Sequence, residues 1–295
     1  MNIVAHRNIF YTISTLLFVV SIGAVFLFGL RLGIDFTGGS LLGIEYPDST
    51  RPSSDEIVKA IAPFDLGEAR IQPTGEKGFL IRLKHIDEPT HQAILSSLGS
   101  KARELEFTTV GPTIGSELRQ KSGLAVVLVI LLIVIYIAWA FRKVSEPIAS
   151  WKYGATTIVA LVHDIVIPAG FFAVAGHYLG YEVDTLFVTA ILTILGFSVH
   201  DTIVVFDRIR ENLKKYGQNL DFSTIVSKSV AETIVRSLNT SCTVVLALLA
   251  VYLFGGETTK VFSLTLIIGI AIGTYSSISI ASPLLVTWHE MKKSK

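Results

Sequence analysis

The sequence predicts an α-helical membrane protein of six transmembrane helices, with an extracytoplasmic ferredoxin-like α+β domain between the first and second. Three observations carry this. Hydrophobic residues make up 51% of the 295 and charged ones only 17%, against about a quarter charged in soluble domains. The apolar residues gather in runs long enough to cross a hydrocarbon core about 30 Å thick. Between residues 35 and 121 those runs give way to short alternating ones.

Six spans follow from the runs: Ile9–Leu30, Leu124–Phe141, Ala155–Gly176, Thr185–Phe206, Ser237–Phe254 and Val261–Trp288. The first is too long for a signal-peptide core and has no small-x-small cleavage site before Arg31, so it reads as a retained anchor. The last exceeds one crossing and predicts tilt or an exit into the interface. Lys and Arg mark the cytoplasmic side. Arg7, the loop with Arg142, Lys143 and Lys152, the stretch with Arg208, Arg210, Lys214, Lys215 and Lys228, and the tail with Lys292, Lys293 and Lys295 form one set. The opposite loops, His177–Asp184 and Gly255–Lys260, hold only Lys260. Both termini are therefore expected in the cytoplasm and the long inserted segment outside. The division is residues 1–34 (N-terminus and first span), 35–121 (outward domain) and 122–295 (the remaining spans, their loops and the tail).

Within the outward domain, SLLGIEY (Ser40–Tyr46) predicts a strand, and SSDEIVKAIAPF (Ser53–Phe64), with its serine cap and early acids, a helix. ARIQP and GFLIRLKHI flank the turn signal TGEKG and predict a hairpin. EPTHQAILSSLGSKA, with Pro near its first turn, predicts a second helix, and RELEFTTV a closing strand. The order βαββαβ is that of the ferredoxin-like fold. No nucleophile–base pair or phosphate loop lies in this stretch. Net charge is +1, so nothing favours a nucleic-acid partner, and Cys242, alone, excludes disulfides and thiolate metal clusters within the chain.

The informative residues are polar ones inside apolar spans. Ionisable groups at bilayer depth cost about 2.5–3.5 kcal/mol each and usually face a bundle interior or a wet path. By the predicted topology His163 and Asp164 lie roughly 12 Å inside the cytoplasmic edge, and His200 and Asp201 roughly 8 Å. Arg236 stands one residue before the fifth apolar run. Three stretches thus bring His163, Asp164, Asp201 and Arg236 to one inner zone. Desolvation favours a neutral Asp201 and a facing Arg236 favours the carboxylate; a site that alternates between the two transfers protons. A static ion pair is the alternative. His163 is read as a hydrogen-bonding partner. Asp207, Arg208, Arg210 and Glu211 fall at the predicted helix end, where anchoring is expected. Gly269, Gly273, Ser277 and Ala281, four apart, predict close helix packing within this chain or against a second one.

Several motifs resemble the SecF family, the smaller membrane subunits of the bacterial SecDF protein-export factor, of resistance-nodulation-division architecture. They are LGIDFTGGSLL (Leu32–Leu42, with Gly33, Asp35, Gly38 and Gly39), VGPTIGSELRQ (Val110–Gln120, with Gly111 and Pro112), ALVHDI (Ala160–Ile165), GFSVHDTIVVFDRIREN (Gly196–Asn212), RSLNTS (Arg236–Ser241) and YLFGG (Tyr252–Gly256). They run in order over nearly the whole chain. The resemblance implies a non-enzymatic transport subunit of the bacterial cell membrane, without cofactor or metal. It implies a proton-motive-force-driven role in moving preproteins through SecYEG, with SecD and an accessory protein of the YajC type as partners. It also implies that Asp201 is the functional intramembrane aspartate and Arg236 the functional arginine. Asn is common where this chain has His200, and His200 is expected to hydrogen-bond Asp201. Asp35 reads as a turn or cap acceptor, and Gly38 and Gly39 as the turn into the first strand. An independent proton-coupled transporter half and a passive scaffold are the alternatives. An intramembrane protease using Asp164 and Asp201 would lack both a Gly-x-Gly-Asp context and a His-Glu-x-x-His helix.

Overall fold

A computed structural model of the chain describes residues 3–47, 51–64, 66–67, 69–142 and 149–293; Lys143 and Lys295, counted in the charge asymmetry, lie outside them. The chain forms two compact units. One is built from residues 31–123 and 182–185. The other comprises residues 1–30, 124–181 and 186–295.

The α/β unit has the predicted order. After a short helix α2 (Ile34–Thr37) come β1 (Gly39–Glu45), α3 (Ser54–Ile61), β2 (Arg70–Thr74), β3 (Gly78–Leu83), α4 (Glu88–Ser97) and β4 (Arg103–Val110). The sheet is antiparallel in the order β2-β3-β1-β4, the ferredoxin-like arrangement. Pro73 sits in β2, an edge strand, where its missing N–H is tolerated. Leu42 and Ile44 of β1 and Phe79, Ile81 and Leu83 of β3 are buried with Ile57 and Ile61 of α3 and Ile94 of α4. Register along β1–β4 slips between Gly43 and Ile44, leaving Leu105 as the unmatched residue of a bulge. Ser53 and Glu56 close a capping box on α3, and the Asp87 carboxylate accepts from the N–H of Thr90 (3.1 Å) at the start of α4.

The turn into β1 depends on Gly38 and Gly39, at φ 73° and 137°. A Cβ on Gly38 would sit 2.7 Å from Pro112 Cα, and one on Gly115 would sit 2.8 Å from the Gly38 nitrogen. Close backbone approach, as well as backbone angle, demands glycine there. Pro112 opens α5 (Pro112–Ala140) as its first residue, and the carbonyl of Gly111 accepts the N–H of Gly115 (3.0 Å).

In the helical unit, α1 (Arg7–Phe28), α6 (Ser150–Leu179), α7 (Thr185–Tyr216) and α8 (Phe222–Phe254) are followed by α9 (Glu257–Ser276), a π-helical turn (Ser277–Ala281) and α10 (Ser282–Lys293). Among the described residues six segments, with α5, are long and apolar enough to cross a membrane. Several helices outrun their predicted spans: α5 begins twelve residues before Leu124 and α6 five before Ala155. Helix α7 runs ten residues past Phe206, and α8 begins fifteen before Ser237. Asp207, Arg208, Arg210 and Glu211 therefore lie within a continuous helix and not at its end. The reason is that an apolar stripe persists among the charges. Ile209 of α7 and Ile225, Val226 and Val230 of α8 are buried, so the two helices stay packed as a hairpin. Arg208 bridges Glu211 (2.5 Å) and, across the hairpin, Glu232 (2.6 Å), while Arg210 pairs with Asp207 (2.6 Å). The Asn212 amide donates to Ser229 (3.0 Å) and Glu232 (2.8 Å).

Candidate functional site: two buried carboxylates in a seam of hydroxyls

Helix α6 presents His163 and Asp164, and α7 presents Asp201; all three are buried, Asp164 completely. Apolar faces on either side bring these spans together. Leu161, Leu195, Val199, Val205 and Phe206 share one core with Ile278, Ala281 and Leu285. The small-residue stripe is what permits contact. A Cβ on Gly269 would collide with the Ile194 side chain, and one on Gly273 would lie 3.0 Å from Ser198 Cβ. Both partners are on α7, so the upper half of the stripe packs within this chain.

That close approach places hydroxyls against the acids. Asp164 Oδ2 accepts from Ser198 Oγ of α7 (2.5 Å) and Ser276 Oγ of α9 (2.7 Å), while His163 Nδ1 lies 3.0 Å from Oδ1. Pro168, one turn along α6, has no N–H to offer the carbonyl of Asp164. Among the described residues, Asp201 Oδ2 accepts only from Thr274 Oγ1 of α9, at 3.2 Å. Thr274 is joined in turn to Ser241 of α8 (2.5 Å). Ser237, buried beside them, interacts with the Asp201 carboxyl while its hydroxyl completes no geometrically sound hydrogen bond. Thr202 and Ser277 bond at 2.8 Å, and Ser277 also donates to the backbone carbonyl of Ser198 (3.2 Å). The seam is completed where α9 passes into its π-helical turn, a feature that recurs at functional sites.

The predicted residues are thus brought together with two corrections. Arg236 is exposed on α8 and forms no ion pair with Asp201; its charge reaches the carboxyl only through space. Its neighbour Ser237 faces inward, and successive helical residues point about 100° apart, so Arg236 looks outward. His200 is likewise exposed and makes no hydrogen bond to Asp201, for the same reason. His163 does partner a buried acid, but that acid is Asp164. Sequence reading missed Ser198, Ser237, Ser241, Thr274 and Ser276. Their signal was available as serines and threonines spaced three or four apart inside apolar runs, but such residues also bond their own helix backbone, as Ser241 does to Ser237 (2.8 Å).

The remaining motif residues form a second constellation inside the α/β unit. Gly33 precedes α2, and its N–H donates to the carbonyl of Val183 (2.9 Å). Asp35 Oδ2 accepts from the N–H of Thr185 (2.9 Å) and from its hydroxyl. Asp35 thus accepts the first N–H of α7, a helix far along the chain from it. No group of three or more His, Cys, Asp or Glu suited to a metal ion occurs among the described residues.

Residues 90–291 match the family described as "Protein export membrane protein SecD/SecF, C-terminal", and residues 23–46 match the "SecD/SecF GG Motif". Protein translocase subunit SecF of Thermobaculum terrenum is 46% identical over 98% of this chain and 94% of its own length. The chain belongs to the SecF family. Protein translocase subunit SecF of Anaerolinea thermophila is 40% identical over 98% of the chain and 94% of its own. Among solved structures, SecDF of Thermus thermophilus, described as a translocon-associated membrane protein, superposes with a TM-score of 0.84 at 32% identity. That alignment covers 98% of this chain and 39% of the SecDF chain. A super-membrane-facing form of SecDF gives a TM-score of 0.71 over the whole chain. As a SecF-family member the chain is a multi-pass membrane protein of the translocation machinery, an accessory transport subunit and not an enzyme.

Proposed function

We propose that this SecF-type chain pairs with a SecD-type half and uses the proton-motive force to assist preprotein movement through SecYEG, with Asp201 as the group that gains and loses a proton. The observation that carries this is the state of Asp201: a buried acid, between membrane spans, with a single 3.2 Å hydrogen bond and no cation in contact. An ionised carboxylate accommodates about four donors. Asp201 is therefore an acid whose protonation changes what its neighbours must satisfy. When ionised it draws on Thr274, Ser237 and the charge of Arg236; when neutral it releases them, and α7 can shift against α8 and α9.

The outer face of α8 supports a partner. Arg236, Asn239, Thr240 and Thr243 are exposed there, on one face of a helix long and apolar enough to cross a membrane. Lipid is a poor neighbour for Arg and Asn at that depth. A second six-helix half, contributing its own acid to Arg236, would satisfy them and complete the proton path. The Lys and Arg asymmetry supports both termini in the cytoplasm and the α/β unit outside, where it can meet the emerging chain. SecYEG and an accessory protein of the YajC type are the further partners of this reading.

Translocation into inverted vesicles, with and without a proton gradient, tests it in Asp201→Asn and Arg236→Ala backgrounds. Both substitutions are expected to remove the gradient-stimulated component. Equal stimulation in wild type and both variants would reduce the chain to a scaffold.

A further inference from the structure

Four successive residues, Glu182 to Asp184 of the connection between α6 and α7 and Thr185 at the start of α7, are held by the α/β unit. Glu182 forms ion pairs with Arg31 (3.4 Å) and with Arg82 of β3 (2.7 Å). Val183 donates its N–H to the carbonyl of Arg31 (2.7 Å) and accepts from Gly33 (2.9 Å), which makes a parallel bridge with Leu32. Asp184 Cβ lies 3.4 Å from where a Cβ on Gly33 would sit, so the backbones pass closely. Thr185 gives both its N–H and its hydroxyl to Asp35. The first N–H groups of any helix lack intrahelical acceptors, and here one of them is taken by a carboxylate from another element. Such charge-assisted bonds are about twice as strong as neutral ones.

We propose that Asp35 is the positioning residue of a rigid clamp that carries motion of α7 into the β-sheet, a proposal that rests on the export-motor reading above. Thr185 and Asp201 stand on one continuous helix, about 24 Å apart along its axis. A displacement at the acid arrives at the clamp with little loss, because a helix resists compression and bending over that length. At the clamp the displacement meets Arg82, which lies in β3 opposite Leu41 of β1 in the middle of the sheet. A single flexible contact would let α7 slip. Here backbone bonds, ion pairs and the doubly donated carboxylate bind successive residues of one short segment, so Glu182–Thr185 and the sheet belong to one compact unit. Gly33 belongs to the same device, since its N–H and the space beside it seat Val183 and Asp184.

The test uses the full export complex in vesicles, with the exposed Cys242 replaced by Ser. Asp35→Ala is expected to remove most of the gradient-stimulated export per folded chain, with gradient-independent export unchanged. A Leu32→Cys, Val183→Cys pair, closed by an oxidant, should restore most of the loss and reopen it on reduction; adjacent bridge residues are within disulfide reach. In the otherwise unaltered chain the same disulfide should leave gradient stimulation intact. Failure of the closed disulfide to restore Asp35→Ala, or loss of export when it is closed in the unaltered chain, overturns the clamp. If Asp35→Ala does not accumulate, Asp35→Asn, which keeps one acceptor oxygen, takes its place in both arms. Asp201→Asn run alongside keeps the two proposals apart, because stimulation surviving in that variant removes the motor reading whatever the disulfide does.

Discussion

Asp164 and Asp201 are both acids buried between the same spans, yet their surroundings differ in kind. Asp164 is met at 2.5, 2.7 and 3.0 Å by two hydroxyls and an imidazole nitrogen drawn from two other helices and its own neighbour. Asp201 has one hydroxyl at 3.2 Å, and neither His200 nor Arg236 touches it. Close donors on every side fix an acid in one arrangement and fasten the helices that supply them. An acid left incomplete can change state at small structural cost. Burial alone therefore does not mark a working residue; the number and closeness of its partners does. On the proposed reading, Asp164 is the rivet of the seam and Asp201 its moving part.

The largest effect expected from this contrast is functional. Asp201→Asn should abolish gradient stimulation with the folded amount preserved, whereas Asp164→Asn should retain stimulation per folded molecule. Equal loss in both would erase the distinction. Next in size is stability. Asp164→Ala strands Ser198, Ser276 and His163 in a dry seam and should cost about 3 kcal/mol, read as a lower midpoint of thermal unfolding in detergent. Asp201→Ala has one long hydrogen bond to lose and should cost about 1 kcal/mol. If Asp201→Ala proved the more destabilising of the two, the roles assigned here would be reversed.

Gly269→Val probes the packing that brings the hydroxyls to the acids. Its Cβ already collides with Ile194, so overpacking of about 1–3 kcal/mol is expected, together with a fall in gradient-stimulated export as α7 and α9 separate. Export that fell without any change in stability would point instead to a contact between chains.

The smallest effect lies in the α/β unit, whose helix caps give acids of a third kind, exposed and fully bonded. The Ser53 N–H and hydroxyl hold the Glu56 carboxyl below its usual range, and the Thr90 hydroxyl and N–H do the same for Asp87. Both folded-state values lie below the unfolded ones near pH 4. Their contribution is accordingly complete above about pH 4 and is lost as pH falls through the lower folded values. Amide exchange at the starts of α3 and α4 should rise below pH 4, and Asp87→Asn should flatten that rise in α4 alone.

Much of this was legible in the linear chain. Hydrophobic runs of membrane length announce spans because no other arrangement satisfies backbone polar groups in lipid. Alternation in GFLIRLKHI and the cap ahead of EIVKAI are local signals, and β3 and α3 appear where those signals stand. Asp201 was conspicuous because a carboxyl in an apolar run needs a reason. Residues beyond Phe206 were harder to place, since charges there hide a buried stripe that only the α7–α8 hairpin uses.

What the sequence determined by itself is the inventory: which segments enter the membrane, which fold as a sheet outside those spans, and which acids must be accounted for. Tertiary structure decided the pairings. Ser198 rather than Arg236 became the close neighbour of a buried acid, and Asp35 found its partner at Thr185, 150 positions along the chain. Hydropathy and local propensity are sums over neighbours in sequence, whereas a hydrogen bond between helices depends on the rotation and spacing of both, which a glycine such as Gly273 sets only when the second helix is in place.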